Sequence, residues 1–358
     1  MRIVILGLSI TSSWGNGHAT TYRGLVRELV RRGHDVLFLE RDVPWYAGNR
    51  DLPQPPYCRT GLYESPADLD RRFRGEVRAA DLTITGSYVP DGIAVGEWAI
   101  ENAGGVTAFY DIDTPVTVAR LERGDCEYLA PHLIPEYDIY LSFTGGPLLE
   151  RIQSRYGSPM ARVLYCSVDP ELYYPERTAK RWDLGYLGTY SDDRQPFLEC
   201  LMLEPARRMP EAAFIVAGPL YPASIVWPKN VERIDHLAPG EHRGFYNAQR
   251  FTLNITRAEM KAAGFSPSVR LFEAAACGAA IISDSWRGLD TLFEPGKEIL
   301  VASGAEDVLD ILRSVSSEQA AEIGARARAR VLAGHTAAHR AMELEEACAA
   351  VVQNNTTA

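Results

Sequence analysis

Short, unbroken apolar runs, each followed by a turn and a stretch of helical periodicity, leave this chain few ways to fold. In the first half they fall at residues 3–6, 36–39, 82–85, 106–110, 139–143 and 163–166. In the second half they fall at 184–187, 214–217, 231–234, 253–255, 280–282 and 299–301. A strand with one wet face alternates apolar and polar residues; most of these runs do not. They read as strands buried on both faces, in a parallel sheet covered by helices. The opening shows the unit: Ile3 to Leu6 as strand, a Ser- and Gly-rich loop, then Tyr22, Leu25, Val26, Leu29 and Val30 at helical spacing. Gly33 supplies the stop before the next strand. Such a strand–helix–strand step closes as a right-handed crossover.

Pro and acidic residues interrupt the pattern at 167–175. The chain is therefore predicted to be α/β, with two Rossmann-like, doubly wound parallel-sheet domains of six strands each, at 1–168 and 169–335, and a C-terminal helix at 336–358. The segment 44–66 is rich in Pro and Tyr and reads as a long loop or lid-like insertion. The Ala-, Glu- and Arg-rich tail at 317–352 predicts one or two amphipathic helices, with 354–358 frayed.

At 358 residues and 46% apolar, the chain can fill two ordinary cores. A formal net charge of -10 argues against wholesale binding to nucleic acid or anionic membrane, so no nucleic-acid partner is predicted. The apolar run at 3–10 is too short to span a bilayer and lacks a cleavage-like site. No transmembrane segment is predicted. The 6 cysteines are scattered without a CxxC pair and read as reduced thiols of a cytoplasmic protein.

Three stretches carry candidate chemistry. The first is Gly15-Asn16-Gly17-His18, between the first strand and first helix. Its glycines let backbone approach a ligand, and the helix N-terminus behind them favours negative charge. The spacing is not that of a dinucleotide fingerprint. His18 is a candidate general base or a hydrogen-bond partner of a sugar hydroxyl; a backbone-bonded helix-start histidine is the plainer alternative.

The second runs from Gly264 to Gly278. Ser266 or Ser268 can cap a helix with Pro267 in its first turn, and that N-terminus would stabilise a diphosphate. Arg270 and Glu273 share a helix face at i, i+3. A surface ion pair is one reading. The other gives Glu273 a ribose diol and Arg270 a phosphate or structural role. The third is Gly185 to Arg194, where Thr189, Tyr190 and Arg194 can donate to a pyrophosphate. Lys261 or Arg257 can add positive charge. Asp111 and Asp113 end a first-half strand and can bind metal, cap a helix or contact hydroxyls.

The segment SPSVRLFEAAACGAAIISD resembles the donor-binding region of GT-B glycosyltransferases, closest to the bacterial spore-maturation-protein-like branch. Ser12 to Thr20 with Arg32-Gly33-His34-Asp35-Val36 resembles that group's amino-terminal half, and Ser167 to Pro175 the interdomain stretch of family-four glycosyltransferases.

The resemblance implies two Rossmann-like domains facing a central cleft, with a tail that often crosses back to the first. It implies transfer of a sugar from a UDP-, dTDP- or GDP-sugar to a small-molecule, glycan or protein acceptor, with no other cofactor, no metal, and retention weakly favoured. Glu273 matches the second glutamate of the family-four E-x7-E motif, which contacts the ribose. The first glutamate falls at Phe265, a departure that touches the donor-sugar contact. Gly17 would lie against the donor, and Asp113 would contact acceptor or donor sugar. The competing readings are a non-catalytic nucleotide-sugar-binding or assembly protein, and a nucleotide-sugar epimerase of the same fold.

Overall fold

The structure, a computed structural model, describes residues 1–357, with side chains through Asn354. It divides into two compact units. One joins Met1–Cys166 to the residues from Ala337 onward; the other is Ser167–Thr336.

The first unit holds a parallel sheet of β1 (Arg2–Gly7), β2 (Asp35–Arg41), β3 (Arg59–Tyr63), β4 (Leu82–Gly86), β5 (Val106–Asp111), β6 (Ile139–Ser142) and β7 (Ala161–Val163), in the order β3-β2-β1-β4-β5-β6-β7. β1 pairs on both sides, Ile3 with Val36 and with Leu82. The chain winds outward from β1 in one direction, then returns and winds the other way from β4. Loops leaving the carboxyl ends of β1 and β4 thus diverge, which is where sheets of this kind bind ligands. Val4, Leu6, Leu37 and Leu39 pack with Leu69, Val77 and Val95 in one core cluster. Phe109, Tyr140, Leu133 and Ile152 belong to another.

The second unit repeats the plan with β8 (Trp182–Leu187), β9 (Phe214–Ala217), β10 (Val231–Ile234), β11 (Gln249–Asn254), β12 (Ala280–Ser283) and β13 (Leu300–Val301), in the order β10-β9-β8-β11-β12-β13. Its reversal point lies between β8 and β11. Leu184, Phe214, Phe251 and Ile282 form its core with Val308, Leu312 and Ile323 from covering helices. The residues that begin and end this unit lie side by side, Val168 bridging Thr336.

Two expectations about the first sheet need correction. The segment 44–66 is not one long loop: it holds a one-turn helix, Pro44–Ala47, and the edge strand β3, so the first sheet has 7 strands rather than six. The last strand of that sheet is Ala161–Val163, two residues earlier than the apolar run suggested, although Leu164 and Cys166 remain buried beyond it.

The tail forms two helices, Ser317–Gly334 and Ala337–Thr357. The fraying expected at 354–358 does not begin at Asn354, since the helix continues to Thr357; Ala358 lies outside the described residues. The final helix packs on the first helix, Ala19–Arg31. Ala341, Leu344, Cys348 and Val351 are buried there. Arg32 and His34 also both reach Glu345. A partly exposed ion pair contributes at most about 1 kcal/mol, whereas a fully buried Leu or Val contributes ~1.5–3 kcal/mol, so the apolar stripe holds this helix. All 6 cysteines are free thiols, three buried and three half-buried. No helix among the described residues is long and apolar enough to cross a membrane.

Candidate functional site

In the first unit the loop after β1 is fixed by a buried carboxylate. Glu40, near the end of β2, accepts from the backbone amides of Ile10 (2.9 Å) and Thr11 (3.1 Å) and from the Thr11 hydroxyl (2.7 Å). Arg23 reaches up from the first helix, donating to the Ile10 carbonyl and to both oxygens of Asp51. Burial alone would raise the Asp51 pKa, but the bonds from Arg23 and from the Ser13 amide hold it at about 2.

That rigid loop delivers Gly17 and His18 to the start of the first helix. Gly15 takes φ +60, which turns the chain. Asn16 closes the turn by accepting from the His18 amide. The His18 ring packs edge-on against Phe143, centroids 5.5 Å apart, and its Nε2 lies 4.0 Å from Asp113 Oδ2.

Asp113 and Asp111 diverge. Asp113 holds the N-cap position of the helix Thr114–Arg123 without capping it; its carboxylate accepts from the Tyr88 hydroxyl at 3.0 Å. Tyr88 itself sits at φ 65, a strained conformation for an aromatic residue. Asp111 points into the core, accepting from Tyr140 (2.5 Å), Thr117 (2.8 Å) and the Asp113 amide. Burial pushes its pKa up to about 6, and those hydrogen bonds limit the rise. Among the described residues no group of three or more His, Cys, Asp or Glu is arranged to hold a metal.

In the second unit the loops around β8 and β11 converge on Asn254, fully buried at the end of β11. Its Oδ1 accepts from the Ser268 hydroxyl (2.8 Å) and from Arg270 (2.9 Å), while its amide nitrogen donates to Ser283. Arg270 also donates to the Leu187 carbonyl and lies over the Tyr186 ring. The helix these residues open runs Val269–Ala276. Ser268 is at its N-cap position, yet its hydroxyl is turned to Asn254 and makes no cap bond. Pro267 lies before the helix, not in its first turn. Ser266 donates its hydroxyl to Met260 sulfur rather than to a helix amide. At the position of the family's first glutamate, Phe265 is left-handed (φ 48) and its ring meets the Arg287 guanidinium.

Glu273 is buried one turn into that helix. Its carboxylate accepts from Tyr246 (3.2 Å) and lies 3.7 Å from His242 Nδ1. Burial, then the Glu273 charge, push the Tyr246 hydroxyl well above its ordinary range, so it stays a donor. The surface ion pair with Arg270 does not form: the guanidinium turns to β8 and β11.

Arg194 folds back on its own loop, donating to Ser191 Oγ and to the Thr189 carbonyl, and so shapes the turn after β8. Tyr190 donates to Asp192. Lys261 lies 3.2 Å from the buried Asp284, so its charge is already paired. Gly218, at φ +142, lets the loop after β9 approach this turn, because a Cβ there would meet the Gly188 carbonyl at 2.1 Å.

Residues 194–346 match the family model described as glycosyl transferase-like. The whole chain superposes on sucrose-phosphate synthase from Thermosynechococcus elongatus, with TM-score 0.70, 14% identity and 100% of both chains covered. It also superposes on HepE from Anabaena, solved with UDP-glucose (TM-score 0.73, 12% identity, 98% of this chain and 100% of that one). A further match is an alpha-glucosyltransferase solved with UDP-glucose and DNA (TM-score 0.74, 12% identity, 98% and 99% covered). No curated protein matches by sequence. The chain has the GT-B glycosyltransferase fold.

Within this GT-B chain, the structure brings Gly17, His18 and Asp113 together in the first unit, and Ser268 and Arg270 together in the second. It separates Glu273 from Arg270. Sequence reasoning weighed Glu40 only as the acid ending the second strand of a dinucleotide fingerprint, and passed over Tyr88, Asn254, Tyr246 and His242. Of the four passed over, Asn254 left a signal, as a polar side chain closing the strand Phe251-Thr252-Leu253.

Proposed function

We propose that the protein transfers a sugar from a UDP-sugar to a hydroxyl on an acceptor, without a metal ion. The observation that carries this is the helix Val269–Ala276, which lies within the residues matching a glycosyl transferase-like family and is tied through Ser268 and Arg270 to Asn254 and to the Leu187 carbonyl at the end of β8. The UDP choice rests on neighbours solved with UDP-glucose.

In this reading the leaving diphosphate lies at the amides opening the helix Val269–Ala276 and at the turn 188–194. The main charge that develops is thus met by oriented dipoles and donors. Glu273 takes the ribose diol, exchanging or sharing its tyrosine bond. Backbone amides around Ser266 and Ser268 stand in for the sugar contact of the glutamate replaced by Phe265.

The anomeric C–O bond to diphosphate breaks and a bond to the acceptor oxygen forms. With retention, the acceptor proton passes to the departing phosphate oxygen and His18 orients the sugar. A second reading has its own observation: His18 Nε2 lies 4.0 Å from the Asp113 carboxylate, whose charge favours an imidazole that takes up a proton, as the general base used in inversion does. The product anomer separates the two.

The test is thermal stabilisation by UDP, UDP-glucose, UDP-galactose, dTDP-glucose and GDP-mannose, in wild type and in Glu273→Gln, which keeps an acceptor for Tyr246. Ligand at a hundred times Kd adds about 2.7 kcal/mol. A shift with the uridine ligands alone, reduced in the variant, is the expected result. No shift with any of the five in folded protein rejects the reading.

A further inference from the structure

The first unit leaves two tryptophans in the open, Trp14 at 43% and Trp45 at 52% exposure. Both lie beyond the carboxyl edge of the first sheet, Trp14 on the loop after β1 and Trp45 in the one-turn helix after β2. Their backbones are tied together. The Ser12 hydroxyl accepts from the Trp14 amide (3.3 Å) and donates to the Asn49 carbonyl (2.7 Å). The Asn49 side chain in turn donates to the Trp45 carbonyl (2.9 Å). Arg50 adds a bond to Thr11, and the Leu52 amide another to the Thr11 carbonyl. The backbone that carries the two tryptophans is therefore cross-braced, with Trp14 four residues before His18 in the chain and the Trp45 ring beside that of Tyr46.

The charges around them argue for the ligand's class. Arg23 is paired with Asp51, Arg50 with Asp42, and Arg41 at the end of β2 with Asp91. A phosphodiester or anionic lipid surface is recognised by cations left available for it; in these loops the arginines are matched by carboxylates, within a chain of net charge -10. A neutral sugar ring asks for something else: a flat, electron-rich face against its C–H groups, and rigid polar neighbours for its hydroxyls.

We propose that Trp14 and Trp45 form a stacking platform for the pyranose rings of a neutral oligosaccharide acceptor. This rests on the sugar-transfer reading and gives it an acceptor class. The platform binds sugar rings beyond the one that reacts, so it acts on acceptor affinity and leaves donor binding alone.

The experiment titrates the protein with chitotetraose, cellotetraose, maltotetraose and β-mannotetraose, following tryptophan fluorescence and calorimetry. It compares wild type, Trp14→Ala, Trp45→Ala and the two Phe variants, with UDP stabilisation measured on each sample. At least one tetrasaccharide should bind; each Ala variant should weaken it about tenfold, and each Phe variant much less. UDP stabilisation should be equal throughout, which also shows that the variants are folded.

UDP stabilisation without binding of any tetrasaccharide overturns the platform and leaves the transferase reading standing. So does binding that the Ala variants do not change. Tryptophan-dependent binding to phosphatidylglycerol vesicles or single-stranded DNA in place of the sugars also overturns it. Tetrasaccharide binding without any nucleotide effect keeps the platform and removes the transferase reading.

Discussion

Arg270 donates its Nε–H to the carbonyl of Leu187 at 2.6 Å, tying the first turn of the helix Val269–Ala276 to the end of β8. A second bond from the same guanidinium reaches Asn254 on β11. The arginine thus spans the reversal point of the second sheet. Replacing it with methionine keeps much of the volume, takes this donor from the Leu187 carbonyl and leaves Asn254 Oδ1 with the Ser268 hydroxyl alone. Hydrogen bonds from charged groups contribute ~1.5–3 kcal/mol each. Arg270→Met should lower unfolding free energy by about 2–4 kcal/mol in urea and weaken UDP stabilisation. An unchanged midpoint would mean that the helix is held by packing alone.

The turn that carries His18 is equally dependent on one charge. Glu40 is buried and receives three donors from residues 10 and 11. Glu40→Gln keeps one acceptor oxygen and places an NH2 group against donors. We expect a loss of about 2–3 kcal/mol by denaturant melts. Increased amide hydrogen exchange should be confined to residues 9–18 at low denaturant.

Asp111 makes stability depend on pH in an unusual direction. Burial penalises its charge and pushes its pKa up to about 6, above the ordinary carboxylate range near 3.8. The folded state therefore holds the proton more tightly than the unfolded chain does. The stabilising contribution is complete below about pH 4 and is lost as pH rises to about 6 and beyond. Other carboxylates pull the opposite way at acid pH, so the measurable quantity is the difference between wild type and Asp111→Asn. The wild-type advantage should be larger at pH 4.5 than at pH 7.5 by about 2 kcal/mol. A difference that does not vary with pH would show that Asp111 ionises normally.

In the helix Ser317–Gly334 an interior glycine sets two effects against each other. Alanine is favoured over glycine by about 1 kcal/mol in a helix. Yet a Cβ on Gly324 would meet the Gly278 carbonyl at 2.1 Å, and backbone cannot swing aside as a side chain can. Overpacking of this kind costs ~1–3 kcal/mol. Gly324→Ala should lower Tm despite its better propensity; a rise would mean that the helix can slide.

The paired sheets were legible because runs such as Ile3–Leu6 and Phe214–Ala217 are apolar on both faces, too short for a buried helix, and bounded by turn signals, as doubly covered strands are. β3 was not legible. Arg-Thr-Gly-Leu-Tyr is short and broken by glycine, in a proline-rich stretch, and only its place at the sheet edge makes it a strand. The site was half legible. The sequence put His18, Ser268 and Arg270 at helix starts, where they lie, but the direction of their side chains was invisible. Ser268 occupies a capping position and bonds elsewhere, while two aspartates two residues apart face different partners. Arg194 offered a cation in sequence and spends it on its own turn. Such choices follow from which acceptor lies nearest in space, a fact held by residues as distant in the chain as Leu187 and Asn254.

The first unit is assembled from both ends of the chain, and this sets an order of events during synthesis. Arg32 finds its carboxylate partner on Glu345, 313 residues later. At ~5–20 residues per second, that partner arrives roughly 15–60 seconds after the arginine. Over that interval the second unit, which is continuous, can finish folding. The older half meanwhile keeps the face of its first helix uncovered. The ribosome makes this sheet long before the helix that covers it, so losing the residues from Ala337 onward would injure the unit made first rather than the one made just before them.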